Sequence, residues 1–308
     1  MLRSTEASNA KESGERPGIP PEGGLRVLVL AGAANRGKLA GVASEAWEAL
    51  IPVGARPMVR YVFDALAGLP GLEAVVVVGP GPLDPLLASY RFPVRRIEPS
   101  EDLVTNLRRG LEALAAGPVA STGNGAGREA VRDEGRDEGA VLVIAGDAVL
   151  VTAEVLKQFL DRCAGLVSQE GHQYEVFYPI VPREAMERLL PGTRRTYVRL
   201  KDGEFTGGNL FLLRPSVVER AGSLLGEMVA WRKKPWRMAR VLGVSFLVAM
   251  AFGRLRIAAI EKVIARRLGI LGRAVILPLA EIGFDVDKPA DLELARRRLA
   301  NGGETKKG

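Results

Sequence analysis

The sequence predicts a single α/β domain on an open, mostly parallel sheet with helices on both faces. Three observations carry that expectation: unbroken apolar runs of strand length, amphipathic helical stretches between them, and small or acidic turns straight after the runs. Strands buried on both faces read as continuous Val/Ile/Leu runs. Their alternation with helices is the pattern of right-handed βαβ crossovers.

In chain order, Leu25–Leu30 is the first such run and ends in Ala31-Gly32. Helical patterns follow at residues 56–66, 84–90 and 101–115, around a second strand at 74–78. Residues 117–139 turn to Gly, Ala, Arg, Asp and Glu without apolar periodicity, the composition of a flexible insertion. A strand at 140–145, a helix at 152–162, a strand at 174–180 and a segment at 205–213 restore the α/β pattern. Residues 215–270 instead read as successive helices, and positions 231–273 carry eleven Lys or Arg against one Glu. A last strand at 274–278 and a helix beginning at Pro289 close a domain expected over 24–300. The flanks, 1–23 and 301–308, are expected to be disordered tails, the first having no apolar core of a signal peptide.

Within the basic region, residues 241–252 form an uncharged stretch of twelve. About 20 apolar residues are needed to span a bilayer, so no transmembrane segment is expected. Arg237, Arg240, Arg254 and Arg256 flank the stretch without making one polar face, which favours a packed helix over a membrane-surface one.

Composition removes several chemistries. One cysteine, Cys163, excludes an internal disulfide and a thiolate cluster, and suits a cytoplasmic chain. One histidine, His172, sits in the polar run Ser168–Gln173 and leaves zinc hydrolases and histidine triads without their residues. Carboxylates, lysines, backbone amides and a hard metal remain. A net charge of +7 suits anionic partners, and nucleic acid is not among those expected, because aromatic platforms are not interleaved with the basic residues.

Gly32 to Lys38 fits the G-x4-G-K core of a P-loop, yet Leu39 stands where that motif needs a hydroxyl for magnesium. What survives is a small-residue turn at the carboxyl end of the first strand, whose backbone N–H groups are placed for phosphate, with Arg36 and Lys38 adding charge. Asp147, in Gly146-Asp147-Ala148, follows a buried strand at the same edge and suits magnesium; alone, it reads equally as a turn aspartate. A partner is offered by Asp285-Val-Asp-Lys-Pro-Ala-Asp291, where Asp285 and Asp287 alternate and so point the same way while Asp291 reads as structural.

Four stretches together resemble the MobA-like nucleotidyltransferases: the Leu30-Ala-Gly32 loop, Glu48-Ala-Leu-Ile-Pro-Val-Gly-Ala-Arg-Pro-Met58, Gly146-Asp147, and Asp285-Val-Asp-Lys-Pro-Ala-Asp-Leu292. The resemblance implies a three-layer α/β/α Rossmann-like fold of glycosyltransferase-A type, here with a helical C-terminal insertion. It also implies a nucleotide site at Ala31, Gly32, Ala33, Asn35, Arg36, Lys38 and Asn106, magnesium at Asp147 with Asp285 or Asp287, and Lys38 and Asp147 as the catalytic pair. Thr206-Gly207-Gly208-Asn209 is similar to the acceptor-side segment of sugar-phosphate members, and also reads as a β-bulge. The implied activity moves a nucleoside monophosphate from an NTP to a small, phosphorylated acceptor with release of pyrophosphate. The chain departs from the family at Ala33, where a second glycine is usual, and at Glu48, where a lysine is common. These departures keep open an alternative: a catalytically degenerate nucleotide- or nucleotide-sugar-binding regulatory protein on the same fold.

Overall fold

Burial on both faces is what turns the apolar runs into the centre of the sheet. A computed structural model describes residues 24–117, 139–222 and 243–302. The expected tail at 1–23, residues 118–138 of the insertion expected at 117–139, residues 303–308 of the tail expected at 301–308, and residues 223–242 of the basic region, including Arg237 and Arg240, lie outside the described residues, whereas 301–302 continue the last helix.

The strands are β1 (Leu25–Leu30), β2 (Pro52–Val53), β3 (Arg56–Pro57), β4 (Leu72–Val78), β5 (Val94–Ile97), β6 (Val141–Ala145), β7 (Val176–Pro182), β8 (Val198–Leu200), β9 (Gly203–Gly207), β10 (Leu210–Leu213) and β11 (Gly272–Ile276). Apart from the β2–β3 hairpin, they form one nine-stranded sheet in the order β5-β4-β1-β6-β10-β7-β9-β8, with β11 alongside β7. Only β9 and β10 run against the rest, because β10 pairs antiparallel with β6 and β7, and β9 with β7 and β8. The sheet is thus mixed and mostly parallel.

Alternation along the strands divides the core into two layers. Val27, Val29, Val75, Val77, Leu142 and Ile144 share one face with α1 (Met58–Ala67) and α4 (Ala153–Glu170). Leu28, Val76, Val78, Val141 and Val143 meet α3 (Leu103–Ala115) on the other face. Each fully buried side chain of this kind contributes about 1.5–3 kcal/mol. Helix α3 sits close because Gly110 faces Leu28, whose methyl would collide with any Cβ there. Asp102 caps α3 by accepting from the Thr105 amide at 2.6 Å, and Thr152 caps α4 through Val155 N at 3.3 Å.

Several boundaries differ from the sequence reading. The 56–66 helix begins two residues later, since Arg56-Pro57 is spent on β3. The 84–90 helix shrinks to α2 (Asp84–Leu87), and α4 runs on through buried Cys163 and Leu166 until Gly171 ends it at φ 63°. The segment 205–213 breaks into β9 and β10 at Gly208-Asn209. A short helix α5 (Arg183–Leu189) and strands β5 and β8 had no clear apolar signature.

Residues 215–222 are helical. They are followed, after the undescribed stretch, by α6 (Val244–Ala251) and α7 (Ile257–Leu268), and the chain closes with α8 (Pro289–Gly302). The packed helix expected at 241–252 is corrected here: Phe246 is the only buried residue of α6. No helix among the described residues is long and apolar enough to cross a membrane.

Candidate active site

The chain moves outward from β1 to β4 and β5, then crosses back to β6 on the other side of β1. That reversal makes the carboxyl ends of β1 and β6 the switch point, the place where an open parallel sheet leaves a crevice for a ligand. In register, Leu30 faces both Val78 and Ala145, so the loop after β1 and the turn after β6 leave the sheet side by side. Gly146 N donates to Leu30 O at 2.8 Å. A Cβ on Gly146 would stand 3.0 Å from that of Ala31, so glycine is what lets the two turns touch.

The loop after β1 is folded back on itself. Asn35 N donates to Ala46 O at 2.9 Å and Glu48 N to Ala33 O at 3.0 Å. The Asn35 side-chain amide ties down Ala43 O and Glu45 O, at 3.1 and 2.9 Å. Its carbonyl oxygen is buried with no partner. Gly32 lies against Pro99, whose ring leaves no room for a side chain. Among the described residues the amides of Gly32, Ala33 and Ala34 meet no acceptor, which leaves them as donors for an anion. Arg36 and Lys38 are exposed above them, Arg36 in an ion pair with Glu101 at 3.5 Å that solvent makes weak. Asn106 is buried and committed: Ser100 N and Oγ donate to its oxygen at 2.6 and 2.9 Å, and its amide donates to Ser100 O at 2.9 Å. It thereby holds the Pro99-Ser100 turn against the loop and acts on that turn.

Asp147 sits in the turn after β6, with one carboxylate oxygen buried and without a hydrogen-bond partner. Burial, with Glu48 and Asp287 adding their negative charge and Arg195 opposing them, pushes its carboxyl up to about 6. Glu48 is raised as well, by burial first and then by Asp287. Three carboxylates from distant parts of the chain therefore share one electrostatic environment. They do not form a closed cage: among the described residues no three acidic, histidine or cysteine side chains converge as a ligand set.

The segment carrying Asp285 and Asp287 is extended, not a strand, and keeps the expected alternation, with Phe284 and Val286 fully buried. The two aspartates nonetheless part company. Arg195 engages Asp285 through its carboxylate and through its backbone oxygen at 2.8 Å, while lying 5.0 Å over the Phe284 ring. Burial holds the Arg195 guanidinium below the usual arginine range, against the surrounding charges of Asp291, Asp287 and Asp147. Asp287 is exposed, and its amide is received by the buried Asp291 carboxylate at 3.4 Å. Asp291 therefore positions the segment, as its place early in α8 suggested.

In Thr206-Gly207-Gly208-Asn209, the first two residues end β9 and Gly208-Asn209 make the break before β10. Gly207 lies under the Tyr178 hydroxyl and Gly208 against Pro179 and Ile282. Asn209 donates to Ile282 O from both its backbone, at 2.9 Å, and its side chain, at 3.2 Å. Gly208 donates to Pro179 O at 3.0 Å. The Gly208-Asn209 connection thus anchors the start of the segment that carries Asp285 and Asp287.

The sequence marks Glu48 only as a departure from the family and does not assign Arg195 to the site. Ninety residues separate Arg195 from Asp285, and no local pattern links them.

The MobA-like NTP transferase domain model matches residues 27–232. Among solved structures, one described as a hypothetical transferase from Thermus thermophilus is 33% identical, with a TM-score of 0.66, over 87% of this chain and 99% of that one. A CMP:2-keto-3-deoxy-manno-octonic acid synthetase complexed with CTP is 13% identical with a TM-score of 0.51, over 91% of this chain and 99% of that one, a likeness of fold. A search of curated proteins returns no match.

Proposed function

This chain belongs to the MobA-like NTP transferase family and is a nucleotidyltransferase by that membership; from this premise we propose that it transfers a nucleoside monophosphate to a phosphorylated small-molecule acceptor, using magnesium at Asp147 and Asp287. The observation that carries the proposal is Asp147: a buried carboxylate oxygen with no donor, at the switch point, beside a loop of unengaged amides. A hard cation suits such an oxygen, and magnesium is commonly held by one or two carboxylates plus substrate phosphates, which matches a site with two open carboxylates and no cage. Magnesium, when bound, supplies charge neutralisation at the triphosphate.

The chain's own residues do the rest. The amides of Gly32, Ala33 and Ala34 receive the phosphates, with Asn35 holding the loop in shape. Arg36 and Lys38 meet the β- and γ-phosphates, where negative charge grows as pyrophosphate departs. An acceptor oxygen forms a bond to the α-phosphorus while the bond to the bridging oxygen of the β-phosphate breaks, and that electron pair leaves with pyrophosphate. Little proton chemistry is needed when the acceptor is already an anion, so catalysis rests on placement and charge. Arg195 neutralises Asp285 and leaves Asp287 as the second ligand. The Thr206–Asn209 segment places the acceptor side by fixing the stretch before Asp287.

Pyrophosphate release, measured with each of four NTPs against a panel of phosphorylated acceptors, tests the proposal. Release with one pair, lost in Asp147→Asn, is the expected result. Nucleotide binding with no release from any pair would favour the second reading, a binding protein without turnover. Glu48 is the observation behind that reading, since it sets a third negative charge beside Asp147 and Asp287 where family members commonly carry a lysine.

A further inference from the structure

Helices α6 and α7 present a surface that the nucleotide site does not use. Val244 is 67% exposed, Val248 50% and Phe252 70%, and their spacing of four residues puts them on one stripe. No residue of helix α7 is fully buried: Ile264 and Leu268 pack against Val217, Ala221 and Ile270, while Ile257, Ile260 and Val263 are only half-buried. Isolated exposed apolar residues are ordinary; a stripe of three beside further half-buried apolar residues marks an interaction surface.

Charge identifies the partner. Arg254, Arg256, Lys262, Arg266 and Arg267 lie in or beside these helices, and Glu261 is the one acid between positions 243 and 268. Glu261 points inward, to Arg273 at 2.9 Å and the Ala274 amide at 2.8 Å, and Asp202 offsets only Arg256, at 3.5 Å. Lys262 and Arg266 are one turn apart on the exposed side of α7. Arg266 and Arg267 line one groove with Ser245, Phe246, Ala249, Leu255 and Val263, so cationic heads stand at the rim of an apolar floor. A second copy of the chain would set this positive surface against its own like. An anionic bilayer answers both features, apolar side chains entering the headgroup boundary and guanidinium groups meeting lipid phosphates.

We propose that the α6–α7 face docks the protein on an anionic phospholipid membrane surface. The short stripe does not enter deeply, so binding is peripheral, reversible and governed by charge. Association of this kind weakens steeply with salt.

Co-sedimentation of the full chain with phosphatidylcholine vesicles, with and without about a third phosphatidylglycerol, at low and high salt, tests this. Binding is expected only to the anionic vesicles at low salt. The double variant Arg266→Gln/Arg267→Gln is expected to lower the partition coefficient about thirtyfold, at roughly fivefold per arginine near an anionic surface. Phe252→Asp is expected to weaken it as well; both variants change exposed side chains, and unchanged circular dichroism and thermal midpoint certify their folding. Absence of binding at low salt, equal binding to neutral vesicles, or full binding by the double variant would each overturn the proposal. So would a dimer seen by light scattering that Phe252→Asp dissolves, which would assign the face to a second copy.

Discussion

Asp147 holds a buried carboxylate oxygen without a partner, so its charge should cost the protein stability, and Asp147→Asn should recover it. The carboxyl rises from 3.8 to about 6 on folding, and each tenfold gain in proton affinity is worth about 1.4 kcal/mol, giving at most about 3 kcal/mol. The sign follows from proton linkage: a carboxyl whose folded value is raised is neutral in both states below pH 3.8, and its contribution to stability is lost as pH rises through about 6. The asparagine variant is therefore expected to match wild type near pH 4 and to exceed it by up to about 3 kcal/mol above pH 7. Urea denaturation at the two pH values without divalent metal is the assay. Added magnesium should then stabilise wild type and leave the variant unmoved. A variant less stable than wild type at pH 7.5, or a gain equal at both pH values, would refute the reasoning that Asp147 is an uncompensated charge awaiting a cation.

Three further outcomes follow from the same geometry. Removing Arg195 as alanine leaves the partly exposed Asp285 unpaired, and should cost about 2–3 kcal/mol in urea denaturation, less than the 3–5 of a fully buried pair; Asp285→Ala in the same chain should recover part of that loss, and strictly additive losses would deny the coupling. Gly32→Ala and Gly110→Ala both introduce a methyl where another group already stands, so each should destabilise by about 1–3 kcal/mol. Calorimetric nucleotide affinity separates the two, falling for Gly32→Ala at the loop and holding for Gly110→Ala in the core. Glu48→Gln removes one of three neighbouring negative charges and is expected to tighten triphosphate binding about fivefold, as about 1 kcal/mol gives; unchanged affinity would place Glu48 outside the field of the bound phosphates.

The central strands were legible because burial on both faces leaves no choice of residue: 25–30, 74–78 and 140–145 are read almost to the residue. Edge elements were harder. Strand β5 is Val94-Arg-Arg-Ile97, with Arg96 drawn outward to Asp84 and Glu98, and nothing in that run declares a strand. Helix α4 outran its predicted end because Gly165 interrupts the pattern without breaking the helix, whereas Gly171 reaches a left-handed φ and does. At the site, turns fixed by local sequence, Ala31-Gly32 and Gly146-Asp147, were found, since each directly follows a strand. The ion pair that sets Asp285 apart from Asp287 was not, because it depends on Arg195 arriving from another part of the chain. Asn106 illustrates the converse: the resemblance implies it for the nucleotide site, yet its side-chain amide is taken up by Ser100, six residues away.

The proposed transfer requires one arrangement, a metal shared by Asp147 and Asp287 next to the loop after β1. A crystal structure of the chain with magnesium and a nucleoside triphosphate tests it most directly. The expected result is a magnesium ion in contact with both carboxylates, phosphates on the amides of Gly32 to Ala34, and Asp285 still bound to Arg195. A metal on Asp285 with Arg195 displaced, or a nucleotide seated away from the switch point, would contradict it.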